Sequence, residues 1–368
     1  MLSHSGADNV STAPLDLTVA GSTPGSSSRT IDTRQLARDL NAFRNPRLLR
    51  SAWELAITLL PFLFACWLML AAVEVGNLLA LMLSLPAGLL LLRLFLIQHD
   101  CGHGAFLSRR ATNDWLGRAL GVLTFTPYDC WRRSHALHHA STGNLDARGF
   151  GDVDTLTVRE FHARSPLGQL FYRFYRHPAV LFGLGPAYLF LLRHRLPIGL
   201  MREGRLYWIS AMGTNAAIAT LLAAIVHQFG LTAAGLVLLP VLLIAASAGV
   251  WLFYIQHQFE DAHWDGGQSW SFHDAALHGS SHLDLPPVLR WFTANIGVHH
   301  VHHLASRVPF YRLPEVLRAY PQLKGVNRFT ALQTFGTMRL TLWDESQRRL
   351  IRFPQATPRS SPARSLLV

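Results

Sequence analysis

The chain contains 368 residues, of which half are apolar and only 15% are charged. Soluble domains usually carry roughly 25% charged residues, so this composition excludes a typical water-soluble globule and favours a membrane protein. The net charge of +11 would also suit a nucleic-acid-binding protein, which needs a basic stripe on a soluble fold. In so apolar a chain we instead expect the basic residues to face anionic lipid, and we expect no nucleic-acid partner.

The two ends of the chain differ in composition from its middle. Residues 1–30 are rich in Ser, Thr, Gly and Pro and lack the basic and apolar regions of a signal peptide. They predict a disordered N-terminal tail. Residues 355–368 predict a second disordered tail, so the membrane domain is expected over residues 31–354.

Four long apolar runs lie between these tails. They cover residues 52–73, 77–97, 206–226 and 231–255. Each reaches the roughly 20 residues that an α-helix needs to cross the hydrocarbon core, so the sequence predicts four transmembrane helices. Arg93 lies near the end of the second run, where its side chain is expected to extend to the membrane interface.

The connections between the runs predict two hairpins and their orientation. The short links 73–77 and 227–232 contain no Arg or Lys, whereas residues 29–50, 109–205 and 307–352 carry nearly all the arginines. The positive-inside rule therefore predicts cytoplasmic termini and a cytoplasmic central segment. A weaker run, 178–192, would divide the histidines between two compartments if it crossed, and we interpret it as interfacial or re-entrant.

Histidines are concentrated in three motifs just outside the apolar runs: HDCGH, HALHH and HHVHH. Within each motif the residues are spaced i, i+3 or i, i+4, so on a helix they share one face. The residues with this spacing are His99 and His103; His135, His138 and His139; and His299, His302 and His303. His300 does not fit the spacing and is expected in a supporting or surface position.

Eight imidazoles exceed the ligand need of one metal ion and suit two ions with open positions. Imidazole binds iron, zinc, copper and nickel, so the ligand type alone does not choose the metal. The chain has no H-E-x-x-H motif, and Cys66, Cys101 and Cys130 are widely separated. A zinc peptidase and a thiolate zinc site are therefore not indicated.

These motifs and their surroundings, IQHDCGHGAF, SHALHHASTGN and NIGVHHVHHLASRVPFYRL, resemble the membrane fatty acid desaturase family. The similarity covers roughly residues 50–340 and is strongest to the bacterial and plastid branch that acts at the Δ12 or ω-6 position. It implies an all-α polytopic fold, with four transmembrane helices in two hairpins and a cytoplasmic helical cap carrying the histidines. The bacterial inner membrane is the expected location.

The resemblance also implies the cofactors and partners. Two non-haem iron ions would be held by the histidines, with O2 as co-substrate and electrons from a separate protein such as ferredoxin or cytochrome b5. The substrate would be an acyl lipid or an acyl thioester. Related enzymes suggest a ninth histidine ligand after the fourth span, for which His257 is favoured and His263 is the competitor. The asparagine that relatives place four residues before this ligand is here Phe253.

Further residues are candidates for supporting roles, with ordinary structural roles as alternatives. Candidates for holding the metal-ligand histidines are Asp100, Asp152, Asp154, Asp261, His263 and His300. Candidates for lining a substrate channel are Trp131, Trp251, Phe253 and Tyr254.

The predicted function is O2-dependent desaturation of an acyl chain. One alternative is another oxidation on the same scaffold, by a fatty acid hydroxylase or by a carotenoid hydroxylase or ketolase. A membrane metal transporter is an alternative of another class. Transporters usually bind their ions near the middle of the membrane, whereas every histidine motif here lies outside the apolar runs.

Overall fold

The computed structural model of the chain describes residues 32–149 and 151–353. The two predicted disordered tails lie outside these ranges. The described residues are mostly helical, and the α-helices are α1 (Thr33–Asp39), α2 (Leu48–Glu74), α3 (Ser84–His103), α4 (Arg110–Leu123), α5 (Tyr128–Ser141), α6 (Val158–Ala163), α7 (Pro166–Tyr175), α8 (Gly185–Leu191), α9 (Arg205–His257), α10 (Phe272–His278), α11 (Pro287–Phe292), α12 (His299–Leu304), α13 (Leu313–Ala319) and α14 (Thr334–Thr337).

Short strands supplement the helices, which the expected all-α fold did not include. They are β1 (Leu156–Thr157), β2 (His282–Asp284), β3 (Arg328–Thr330), β4 (Leu342–Asp344) and β5 (Arg349–Ile351). One sheet has the order β1-β4-β5, with β1 parallel and β5 antiparallel to β4, and β2 pairs in parallel with β3. Strands of two or three residues leave too weak an alternating pattern to be recognised in the sequence.

Within the described part of the chain, three helices are long and apolar enough to cross a membrane: Leu48–Glu74, Leu78–His103 and Arg205–His257. The second of these joins a 3-10 turn, Leu78–Leu83, to α3. In its most apolar stretch, 56% is buried, against 28% in the corresponding stretch of α2. It also contacts both α2 and α9. It is therefore the central helix of the apolar group.

The third long helix, α9, is interrupted near its middle. A continuous helix of its 53 residues would be about 80 Å long, whereas the hydrocarbon core is about 30 Å thick. At Gly230 the backbone leaves the helical region, with φ 79° and ψ 160°, a conformation open essentially to glycine alone. The break coincides with the link predicted between the third and fourth apolar runs and divides α9 into segments 205–229 and 231–257.

Arg93 does not extend to an interface as expected; its side chain is 1% exposed. Its guanidinium forms an ion pair with Glu54 of α2, and Nε donates to Thr58 Oγ1 at 3.1 Å. The guanidinium also lies over the ring of Trp291 in α11, at 4.3 Å, and donates to the carbonyl of that residue. Because Glu54 neutralises the charge inside the helix group, Arg93 has no need to reach water.

The weaker apolar run 178–192 is helical but broken. A π-helical turn at Val180–Leu184 precedes α8, which is only seven residues long. Neither piece is long enough to cross a membrane by itself. The Phe182 ring packs against Tyr254 in α9 at 5.2 Å, so the run lies beside the end of α9 that carries His257.

A buried arginine ties the strands to the same end of α9. Arg176 donates to Tyr254 Oη at 3.2 Å, to Gln258 Oε1 at 3.1 Å and to the Leu340 carbonyl at 2.8 Å. Next to this network, the rings of Trp264 and Trp343 stack with centroids 5.3 Å apart. These contacts hold the C-terminal strands against the segment from which His257 projects.

Candidate metal centre

Nine histidines come together in two groups, and in each group the potential ligand nitrogens lie within 4.8 Å of one another. The first group is His99, His103, His135, His139 and His302; the second is His138, His257, His299 and His303. All eight motif histidines with helical spacing are included, and His300 is not. The ninth member of the two groups is His257, whereas His263 belongs to neither group.

Four helices position these side chains. The last turn of α3, the body of α5, the last residue of α9 and the short helix α12 each contribute. Adjacent residues on an α-helix point about 100° apart. His138 and His139 therefore enter different groups, as do His302 and His303, which explains why two of the motifs end in a histidine pair.

The Nε2 atoms approach one another closely within each group. In the first group the distances are 3.0 Å for His103–His135, 3.1 Å for His135–His139 and 3.1 Å for His139–His302. In the second they are 3.1 Å for His138–His257, 2.9 Å for His257–His299 and 3.0 Å for His299–His303. Each group thus surrounds one point with imidazole nitrogens.

Contacts of the other ring nitrogen determine which Nε2 atoms carry a lone pair. His257 Nδ1 lies 3.4 Å from the Gly279 carbonyl, which can only accept, so the proton is on Nδ1. His138 Nδ1 contacts Asp152 Oδ1, and a carboxylate likewise requires the ring to donate. The facing Nε2 atoms of His138 and His257 are then both acceptors and cannot hydrogen-bond to each other.

The same reasoning applies to His303 and His99. The Thr142 hydroxyl donates to the His138 carbonyl at 2.6 Å and can therefore accept from His303 Nδ1 at 3.4 Å. His99 Nδ1 lies 3.4 Å from Asp100 Oδ1. Facing lone pairs, as on His138 and His257, repel unless a cation lies between them, so the second group fits a metal ion. The first group likewise brings imidazole nitrogens together, and the all-imidazole chemistry of both groups suits iron, zinc, copper or nickel.

Burial keeps these imidazoles neutral. It lowers the pKa of five histidines on α5 and α12 well below the usual value, and the neighbouring histidines lower it further; these five are His135, His139, His299, His302 and His303. A neutral imidazole retains the lone pair that a metal ion needs. The groups are therefore ready to bind a cation at neutral pH.

Of the candidates for supporting roles, the structure brings two to the histidines. Asp152 contacts His138, and Asp100 lies beside His99 while accepting from the Phe310 N–H at 2.7 Å. Thr142 and Gly279 were not anticipated. Thr142 lies one helical turn after His138 and could have been found by its spacing, whereas a carbonyl from a distant segment leaves no signal in the sequence.

The remaining candidates lie elsewhere. Asp154 and Asp261 are exposed, and within the described ranges neither accepts a hydrogen bond from the nine histidines. His263 pairs with Asp265 at 2.9 Å. His300 is buried, and its Nε2 lies 2.9 Å from the Leu323 carbonyl. His300 thus connects α12 to a neighbouring turn and faces away from both groups.

A cavity of about 700 Å³ reaches the histidines, with His99, His135 and His299 in its wall. This volume lies within the roughly 300–1,000 Å³ of ligand-binding sites. Trp131 and Phe253 line the cavity as expected for a channel, whereas Trp251 and Tyr254 do not. Tyr254 is instead buried and donates to the Leu340 carbonyl at 2.7 Å. The cavity walls are mostly aliphatic and aromatic, which suits a hydrocarbon chain.

Comparison with known proteins points to one family. Residues 76–327 match the family model for fatty acid desaturases. A fatty acid desaturase of Bacillus subtilis (strain 168) is 40% identical over 341 residues, which cover 91% of this chain and 96% of the relative.

Two relatives come from Synechocystis sp. (strain ATCC 27184 / PCC 6803 / Kazusa). An sn-1 acyl-lipid omega-3 desaturase (ferredoxin) is 28% identical over 250 residues, covering 65% of this chain and 66% of that relative. An sn-1 oleoyl-lipid 12-desaturase is 26% identical over 238 residues, covering 60% of this chain and 62% of that relative.

Proposed function

The chain belongs to the fatty acid desaturase family of oxidoreductases, and from this premise we propose that it is an O2-dependent di-iron desaturase of membrane acyl chains. The observation that carries the proposal is the meeting of two histidine groups with the end of one apolar cavity. Hydrocarbon entering this cavity would reach the ligand nitrogens directly.

The nine histidines would hold two iron ions, one in each group. A bound pair of redox-active iron ions supplies, with O2 and two electrons, the oxidising power that amino-acid side chains lack for removing hydrogen from unactivated methylenes. Asp152, Asp100, Thr142 and the Gly279 carbonyl would orient the imidazoles and raise their basicity as ligands.

The other task of the protein is to position the acyl chain. Trp131 stacks on His135 with ring centroids 4.7 Å apart, and the Phe253 ring lies 4.9 Å from that of His138. These two rings lie in the cavity wall next to the histidines, where they would hold a methylene pair and exclude water. Such positioning lowers the entropy cost of reaching the reactive geometry.

We further propose four membrane spans, with the histidines, the cap and both termini in the cytoplasm of a bacterial cell. The break at Gly230 supports two crossings within α9, because each half is long enough to span the hydrocarbon core. The arginine distribution supports the orientation.

A Δ12 or ω-6 position for the new double bond is supported by the relative that is a 12-desaturase of oleoyl lipids. Ferredoxin as electron donor is supported by the relative whose name includes it; cytochrome b5 is the other candidate. An acyl lipid is favoured over an acyl thioester as substrate, because both of these relatives act on acyl lipids.

Product analysis of a membrane expressing the chain tests this function. We expect new double bonds in lipid acyl chains, located by mass spectrometry, and two iron ions per chain in the purified protein. Hydroxylated acids or oxidised carotenoids would contradict desaturation and show that the protein catalyses another oxidation. Readily exchanged zinc without any change in lipids would favour a metal transporter. An empty expression vector is the control.

A further inference from the structure

The large cavity has two polar regions of opposite charge besides the histidines. Asp152 and Asp154 lie in one part of its wall, and Arg193 and His194 lie in another. An anionic group on a ligand is attracted to the second region and repelled from the first. The two regions therefore favour one orientation of an anionic ligand in the cavity.

His194 presents an unused acceptor. Its Nδ1 is buried and has no hydrogen-bond partner within the described residues, whereas the ring does bond to the Phe125 carbonyl. Because a carbonyl only accepts, the ring proton lies on Nε2 and Nδ1 carries a lone pair. Burial, with the charges of Arg195 and Arg193, lowers the pKa of His194 to about 3, so the ring stays neutral at pH 7.

Arg193 presents an unused cation next to that acceptor. It is exposed, and within residues 32–149 and 151–353 it forms neither a side-chain hydrogen bond nor an ion pair. Arg195, two residues later, donates to Asn215 Oδ1 at 2.9 Å and to the Phe125 carbonyl. The structure thus uses Arg195 internally and leaves Arg193 available to a ligand.

A row of aromatic rings connects this region to the candidate metal centre. The His194 ring lies 5.0 Å from that of Phe190, which lies 6.3 Å from Phe95. Phe95 lies 5.4 Å from Trp131, which stacks on His135. Apart from His135 at its end and the indole N–H of Trp131, the rings of this row between His194 and the metal centre are apolar and suit an acyl chain.

We propose that Arg193 and His194 bind the head group of the acyl substrate, through a phosphate and an adjacent hydroxyl or amine donor respectively. The acyl chain then runs along Phe190, Phe95 and Trp131 to the histidines. The length of this row sets which carbon atoms reach the metal centre. This inference rests on the proposed function and names the substrate class for it.

Three diacyl lipids with identical chains separate the two contacts. Phosphatidylglycerol has a phosphate and hydroxyl donors, phosphatidylcholine has the phosphate without a donor, and monogalactosyldiacylglycerol has donors without a phosphate. Binding of each to the full-length protein in detergent micelles is measured through a fluorescent acyl chain, alongside kcat and KM.

We expect Arg193→Gln to weaken binding of both phospholipids by about tenfold and to leave the galactolipid unchanged. His194→Phe, which keeps the ring and removes the lone pair, is expected to weaken phosphatidylglycerol and the galactolipid but not phosphatidylcholine. Arg202→Gln, at an exposed arginine of the same loop outside the cavity wall, is the matched control and should change none of the three.

Equal losses for all three lipids, or an Arg193→Gln protein that behaves like the control, would overturn the head-group site. If a coenzyme A thioester with the same acyl chain depends on Arg193 and phosphatidylglycerol does not, the phosphate contact stands and belongs to a thioester carrier. Binding is measured without turnover. The expected pattern in a protein that forms no double bonds would therefore contradict the proposed function while leaving a lipid head-group site at Arg193 and His194.

Discussion

At the scale of single residues, neighbours in the sequence have different tasks. His302 and His303 point into different histidine groups, while His300 points away from both and lies 2.9 Å from the Leu323 carbonyl. Helical geometry alone produces this division, since each step along α12 rotates the side chain by about 100°. Within this one motif, replacing His302 or His303 is therefore expected to affect the candidate metal centre, whereas replacing His300 is not.

Replacing His302 by alanine should abolish desaturation while membrane insertion stays normal, and His138→Ala should do the same. Each variant removes one nitrogen that surrounds a candidate metal position, so metal content should fall as well. His300→Gln is the matched control and should retain its metal and most of its activity, with lower thermal stability. Iron analysis and acyl-chain composition measure the outcome. Normal unsaturation in His302→Ala or His138→Ala would contradict the proposed ligand set.

The carboxylate of Asp152 should matter through His138. Asp152→Asn retains the shape of the side chain but removes the charge that holds the Nδ1 proton, so we expect metal affinity to fall roughly 10–100-fold. Competition with a chelator measures this affinity. Asp261→Asn, at an exposed aspartate that contacts none of the nine histidines, should have no effect. If Asp152→Asn leaves the metal affinity unchanged, the contact between Asp152 and His138 serves only to hold the loop in place.

At the scale of elements, the division of α9 depends on one residue. A Cβ added at Gly230 would meet no atom of the described residues within 4 Å, so the backbone conformation is what restricts the position. Its φ of 79° with ψ of 160° is one that other residues adopt only under strain. The link is thus specified by glycine and not by packing.

Gly230→Ala should lower the free energy of unfolding by about 1–3 kcal/mol. Gly213→Ala is the control, because Gly213 lies in the regular part of α9 and also has no atom within 4 Å of an added Cβ. It should be neutral or slightly stabilising, since alanine favours helix. Thermal unfolding in detergent compares the two variants. Equal stabilities would show that the break tolerates any residue.

The ion pair of Arg93 and Glu54 joins α2, α3 and α11 and should be necessary only as a pair. Arg93→Met leaves a buried carboxylate whose remaining partner is Arg50, and loss of one member of a buried pair typically costs about 3–5 kcal/mol. Arg93→Met combined with Glu54→Met should recover part of this loss. The unfolding midpoints of Arg93→Met, Glu54→Met and the double variant are compared with that of the unchanged protein. If the losses of stability in the two single variants simply add in the double variant, the two side chains are not coupled.

At the scale of the whole molecule, the position of the chain in the bilayer determines whether all histidines share one compartment. With four spans, the link near Gly230 faces the side opposite to the histidines. A crossing by residues 178–192 would instead place His257 and the motif HHVHH, which follow it, on the other side from the first two motifs. The close approach of all nine histidines favours the first arrangement.

Cysteine labelling in intact cells tests this arrangement. In a protein whose three native cysteines are replaced by alanine, Gln228→Cys should react with a membrane-impermeant maleimide from outside. Arg202→Cys, near the start of α9, should react only after the cells are opened. Both positions are exposed, so side-chain burial does not explain a difference. Labelling of both from the same side would contradict two crossings in α9.

The sequence by itself determined the features that depend on local order: the apolar runs, the glycine link, the helical spacing of the histidines and, from these, the family. Spacing along a helix and length against a bilayer are set by neighbouring residues, so they can be read without coordinates. The three motifs also sufficed to predict that eight imidazoles share one region.

Only the tertiary structure decided how these features combine. It divided the histidines into groups of five and four, placed His257 rather than His263 beside them, and buried Arg93 against Glu54. It also brought Phe190, Phe95 and Trp131 into one cavity wall. Each of these results depends on contacts between residues far apart in the chain, and such contacts are selected by packing of whole helices rather than by any local pattern.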